Sequence, residues 1–238
     1  MTGDVQENTR DRILRATIEL LASEGRQAVS TRAVSAAAGI QPQTIYRQFG
    51  DMDGLLAEAA SEGFRRYLVS KSARPKRQDP VDDLRDGWDL HIEFGLEHPA
   101  LYLLMYGDPR RSRESAAAAQ TATILRELVE AVARAGRLRI DIETAVAMIQ
   151  STGVGVVITL IGATEESQVS ADLSARVRES VLDAVTTNVT DPDAAKGDDP
   201  AVPASALRAM LPDVQHRLTP GEKLLLDELL TKISLHQG

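Results

Sequence analysis

The segment GIQPQTIYRQFGDMDGLL, residues 39–56, is too polar and too aromatic for an ordinary core helix. Gly39 supplies a tight turn. Pro42 suits the first turn of a helix, where its missing N–H has no partner to lose. The spacing predicts a helix from Pro42 to about Phe49, broken by Gly50 and Asp51. Ile45 and Phe49 lie one turn apart and anchor its inner face. Gln43, Thr44, Arg47 and Gln48 then point elsewhere, with Gln41 at the start of the helix.

Upstream, Thr9 to Glu24 places Ile13, Leu14, Thr17, Ile18 and Leu21 on one helical face. Gly25 stops that helix. Ser30 caps a short second helix, Thr31 to Ala38, which faces inward through Val34 and Ala38. Two short helices joined at a glycine turn form a helix-turn-helix pattern. Glutamine pairs with adenine edges, and arginine with guanine edges or phosphates. Thr44 and Tyr46 carry hydroxyls suited to phosphates.

The charge distribution agrees. The chain of 238 residues carries a formal net charge of -8, which by itself argues against a general nucleic-acid binder. Yet Gly25 to Gly50 contains no acid, and it contains Arg26, Arg32 and Arg47. A local basic face on an acidic protein still attracts phosphate. A second basic cluster, Lys71, Arg74, Lys76 and Arg77, reads as a solvated loop.

The stretch from Thr9 to Phe64 resembles the N-terminal domain of the TetR family of bacterial transcriptional regulators. The matching segments are ILRATIELLASEG, STRAVSAAAGI and QTIYRQFGDMDGLL. The resemblance implies a homodimer whose two third helices enter successive major grooves of a double-stranded DNA operator. It implies a C-terminal helical domain that binds a small-molecule effector and dimerises. By position, it gives Thr44 and Tyr46 phosphate contacts and turns Gln41, Gln43, Arg47 and Gln48 toward the groove. Pro42 belongs to the same helix start, and Thr31 and Arg32 sit where the DNA backbone is gripped. One position departs from the pattern: Met52 stands where the family has a lysine.

The rest of the chain also reads as helical. Scarce aromatics, 3%, and 43% hydrophobic residues favour helix packing. Asp51 caps a connecting helix, 51–70. A helix from Asp79 or Pro80 carries Leu84, Trp88, Ile92 and Phe94, and His98-Pro99 interrupts it. Ala100 to Tyr106, Ser112 to Ala135 and Ile142 to Ala163 follow. Ser170 to Val189 has a stripe at Leu173, Val177, Val181, Val185 and Val189.

The expected organisation is all-α. Residues 1–50 form a three-helix helix-turn-helix DNA-binding domain, and 71–190 an effector-binding and dimerisation domain. Residues 191–203 form an Asp/Pro-rich linker, and 204–238 a helical tail. One helix closes that tail, opened by the capping box Thr219-Pro220-Gly221-Glu222. Its face of Leu224, Leu225, Leu229 and Ile233 is expected to be buried, on its own domain or across the dimer.

Thr144 to Thr164 carries no charge and is long enough to span a membrane. Its polar residues and flanking Glu143 and Glu165 favour a helix buried all round instead, so no membrane partner is expected. The effector pocket is expected within each subunit. Trp88, His91, Phe94, Tyr102, Met105, Tyr106 and Gln150 are candidate lining residues, apolar walls with a few polar handles.

No enzyme, metal or cofactor is expected. The chain has no cysteine, and His91, His98, His216 and His236 lack metal-ligand spacing. Neither a phosphate loop nor a nucleophile elbow is present. The start, MTGDVQENTRDR, has no apolar run of a secretory signal, so a cytoplasmic protein is expected. Two rival functions are a protein-docking module built on the helix-turn-helix and an enzyme in the C-terminal cavity.

Overall fold

A computed structural model of the chain describes residues 8–71, 77–108, 115–163, 172–187, 200–214 and 218–234. These fall into two compact units. One holds the chain up to Arg74 together with Glu93–Gln120, and the other holds Pro75–Ile92 and Thr121 onward.

The first unit opens with α1, Thr9–Glu24, capped by the Asn8 side chain, which accepts from the Asp11 amide. Ile13, Leu14, Thr17 and Leu21 are buried as the stripe predicts. Buried Thr17 satisfies its hydroxyl on the Ile13 carbonyl at 2.8 Å. Gly25, at φ 77°, ends the helix. Helices α2, Thr31–Ala38, and α3, Pro42–Phe49, follow. Helix α4, Met52–Lys71, packs on α1, α3 and α6, Pro99–Tyr106.

Two glycines allow close approaches to α4. A Cβ at Gly63 would stand 2.6 Å from Leu101 Cδ1, so α6 crosses α4 where a side chain is missing. A Cβ at Gly54 would stand 2.2 Å from the Phe49 carbonyl oxygen, so the first turn of α4 lies hard against the end of α3. Asp51 caps this turn as expected, accepting from the Gly54 amide at 2.7 Å. The unit's aromatic core stacks Phe64 and Tyr67 on Phe94, with ring centroids at 5.1 and 5.0 Å.

Helix α5, Pro80–Glu97, gives its residues to Ile92 to the second unit and the rest to the first. His98-Pro99 does interrupt it. Helix α7, Ala116–Arg134, begins beyond the expected Ser112, which lies outside the described residues. In the second unit, α8, Ile142–Ile161, packs against α9, Leu173–Val185. Of the valine stripe, Val181 and Val185 are buried and Leu173 and Val177 half-buried; Val189 lies outside the described residues. Arg137 closes the unit by donating to the Thr187 carbonyl and pairing with Asp79. Arg85 forks onto Glu179, and the pairing holds the Glu179 carboxyl below its ordinary range.

Three expectations change. First, α8 is not buried all round. Thr144, Ala147, Ser151, Gly155 and Ile158 form an exposed face without charge. A Cβ at Gly155 would meet nothing within 4 Å, whereas one at Gly153 would meet His91 and Trp88. Among the described residues α8 is the one helix apolar and long enough to cross a membrane, at mean hydropathy 1.8. Second, the tail holds two helices, α10, Ala201–Val214, and α11, Pro220–Ser234. Helix α10 already starts at Ala201 because Pro203 falls in its first turn, where no N–H is needed. Residues 191–199 of the expected linker lie outside the described residues. Third, the hairpin closes through Ala204, Leu211, Leu218, Leu226 and Leu230. The expected leucine face points outward, with Leu224 74% and Leu225 58% exposed. The capping box of α11 forms as expected, Thr219 and Glu222 exchanging hydrogen bonds.

Candidate nucleic-acid interface

The interface is built on α2 and α3. Ser30 caps α2 by accepting from the Ala33 amide at 3.2 Å. Gly39 turns the chain at φ 63° and ψ 44°, left-handed backbone that favours glycine. Gln41 precedes α3 and makes no side-chain cap; its carbonyl instead accepts from the Thr44 amide at 2.9 Å. Pro42 sits in the first turn as predicted.

The inner face of α3 is Ile45, fully buried, and Phe49. That orientation turns Gln41, Pro42, Gln43, Tyr46 and Arg47 outward, all exposed. Tyr46 is 50% exposed, so its ring is not part of the core. Thr44 and Gln48 are half-buried at the flanks. Arg32 is exposed and Thr31 half-buried at the start of α2.

The two helices share a hydroxyl pair. Thr31 Oγ1 and the Tyr46 hydroxyl stand 3.3 Å apart, close enough for either to donate. The pair sits at the N-terminal end of α2, where unpaired amides and the helix dipole favour an anion. Gly25 to Gly50 contains no Asp or Glu, so the only charged side chains on α2 and α3 are Arg32 and Arg47. The arrangement can place two hydroxyls and an arginine on phosphate, and amide side chains on base edges. Sequence reasoning missed the Thr31–Tyr46 pairing, because it depends on the angle between the two helices.

The expected effector residues divide between the units. Phe94, Tyr102, Met105 and Tyr106 belong to the first. There Tyr102 lies 6.3 Å from Phe94 and 4.8 Å from Tyr106, ring centre to ring centre, and Tyr102 and Met105 are buried in its core. Trp88, His91 and Gln150 belong to the second. Trp88 donates to Ser174 Oγ at 3.0 Å, and with His91 it closes over Gly153. Burial pushes the His91 imidazole down to about 4. Among the described residues no group of three His, Asp or Glu side chains is placed to hold a metal ion.

Of the basic cluster that reads as a loop, Arg77 pairs with Asp86 at 2.9 Å. Arg74 and Lys76 lie outside the described residues.

Comparison with known proteins bears on the same segment. Residues 13–59 match the family described as bacterial regulatory proteins, tetR family. The HTH-type transcriptional repressor KstR of Rhodococcus jostii (strain RHA1) is 32% identical over 85 residues, 36% of this chain. The match spans 40% of that relative's length. The fold is similar to that of the fatty acid degradation regulator FadR from Bacillus halodurans. The TM-score is 0.59 at 18% identity, covering 74% of this chain and 96% of that one. It is also similar to the TetR family transcriptional regulator PfmR from Thermus thermophilus. There the TM-score is 0.51 at 18% identity, covering 73% and 98%. These matches converge on the N-terminal segment: residues 13–59, which hold the helix-turn-helix, are similar to the N-terminal domain of the tetR family of bacterial regulatory proteins.

Proposed function

We propose that the chain is a cytoplasmic repressor that binds an inverted-repeat DNA operator as a homodimer and is released by a small-molecule effector. The observation that carries this reading is α3. It is anchored by Ile45 and Phe49 and presents Gln43, Tyr46 and Arg47 to solvent in a segment free of acids. Thr31, Arg32, Thr44 and Tyr46 would hold phosphates. Gln41, Gln43, Arg47 and Gln48 would read the major groove, with Pro42 setting the first turn of the reading helix.

The uncharged, exposed face of α8 supports the homodimer. A second copy would cover it and bring two α3 helices to one duplex. The effector sites proposed are Trp88, His91 and Gln150 in one unit and Phe94, Tyr102, Met105 and Tyr106 in the other. An effector releases DNA only through its differential affinity for the bound and free states. No resident cofactor is assigned.

The test sorts the contacts by substitution. Tyr46→Phe and Thr44→Ala should weaken binding to all duplexes alike. Gln43→Ala and Arg47→Ala should change which base pairs are preferred. If all four behave alike, the division into phosphate and base contacts is wrong. Weak binding by the wild type, with no sequence preference, would favour protein docking through the same helix.

A further inference from the structure

Arg10 lies outside the residues that the helix-turn-helix pattern singles out, yet its guanidinium makes three contacts at the end of α3. Nη1 donates to the Gln48 carbonyl oxygen at 2.9 Å. Nη2 donates to a carboxylate oxygen of Glu58 on α4. The guanidinium carbon stands 4.6 Å from the centre of the Phe49 ring. One side chain of α1 therefore holds the last two residues of α3 and a side chain of α4 together.

The need for such a tie follows from α3 itself. With eight residues it is too short to be stable or oriented on its own. Its N-terminal end has no side-chain cap. The last carbonyls of any helix lack intrahelical donors, and a cation there is favourable to the helix dipole. Arg10 supplies both a donor and the charge. Glu58 in turn fixes which way the fork points.

We propose that Arg10 is a positioning residue for DNA binding. It sets the angle of α3 from its C-terminal end, is oriented by Glu58, and does not itself touch DNA. The proposal rests on α3 being the DNA-facing helix. A displacement of about 1 Å in a supporting contact is enough to spoil a binding constellation.

The test uses the full chain and Arg10→Ala, Arg10→Lys and Glu58→Gln variants. Amide exchange is followed without DNA. Affinity is measured across a salt series on a duplex selected by the wild type from a random library. Arg10→Ala should speed exchange at the Gly50 amide, which bonds to the Tyr46 carbonyl at 2.9 Å, while α4 amides beyond Glu58 keep their protection. Its affinity should fall about tenfold, with the slope of log affinity against log salt unchanged. Glu58→Gln should weaken binding in the same direction. Arg10→Lys should fall between, because an ammonium cannot make the fork.

The opposite outcomes overturn the proposal. If Arg10 contacts phosphate, Arg10→Ala flattens the salt slope and Glu58→Gln tightens binding by freeing a cation. Unchanged exchange at the end of α3 would also refute it. If Arg10→Ala does not fold, Glu58→Gln still decides through the sign of its effect. Failure of the wild type to bind any duplex would sink the DNA-binding reading instead. The exchange measurement would still show whether Arg10 holds α3.

Discussion

Met52→Lys should convert a missing phosphate contact into a measurable one. Met52 is the first residue of α4, directly after the Asp51 cap, and is half-buried. It stands where the family resemblance places a lysine. In a homodimer the substitution adds two cations at the DNA backbone. Each phosphate contact contributes about −0.9 to the slope of log affinity against log salt, so the slope should steepen by about 1.8. With equal affinities at 1 M salt, the same exponent makes the variant about sixty-fold tighter at 0.1 M. The cost to stability is small. A cation in the first turn opposes the helix dipole by about 0.3–1 kcal/mol, and the neighbouring Asp51 and Asp53 offset part of that. Fluorescence anisotropy of a labelled operator duplex across the salt series reads both quantities. An unchanged slope in a folded variant would show that the start of α4 does not face the DNA backbone, and would refute the docking orientation.

Other perturbations probe the rest of the account. Gly54→Ala sets a methyl against the Phe49 carbonyl, and should cost about 1–3 kcal/mol in urea unfolding as α4 shifts away from α3. Ser151→Arg puts charge on the exposed face of α8; light scattering should find monomers that keep their helicity and lose operator affinity. His91 is held neutral in the fold, at about 4 against an ordinary 6.5. The unfolded chain therefore takes up the proton first. Stability is full above about 6.5 and declines down to about 4, by at most about 3 kcal/mol. His91→Gln should flatten that part of a pH series of urea melts. A separate acid loss should remain as Glu143 and Glu179, whose carboxyls are held low by Arg126 and Arg85, are protonated.

Much of the first unit was legible in the sequence, because its signals are local. Ser30, Gly25, Gly39, Pro42 and Asp51 each mark a helix boundary through a cap, a turn or a missing N–H, and the helices begin and end beside them. Ile45 and Phe49 fixed which face of α3 turns outward. What could not be read depends on contacts distant in sequence. The hold of Arg10 on Gln48 and Glu58 leaves no local pattern. The apolar composition of α8 suggested burial on every side, but composition does not say how many neighbours a helix has within one chain. The tail misled for a related reason. Leucine is so dense in α11 that two faces are apolar, and the hairpin closes on Leu226 and Leu230 rather than on the stripe through Leu225 and Leu229.

The account's central claim is that two copies of this chain read one duplex through α3. Selection of the purified full chain against a random double-stranded DNA library, at moderate salt, tests it most directly. The account predicts recovery of an inverted repeat whose half-sites are centred about one helical turn apart, ~34 Å. A library that emerges without an enriched sequence, or with a single unrepeated element, would contradict it.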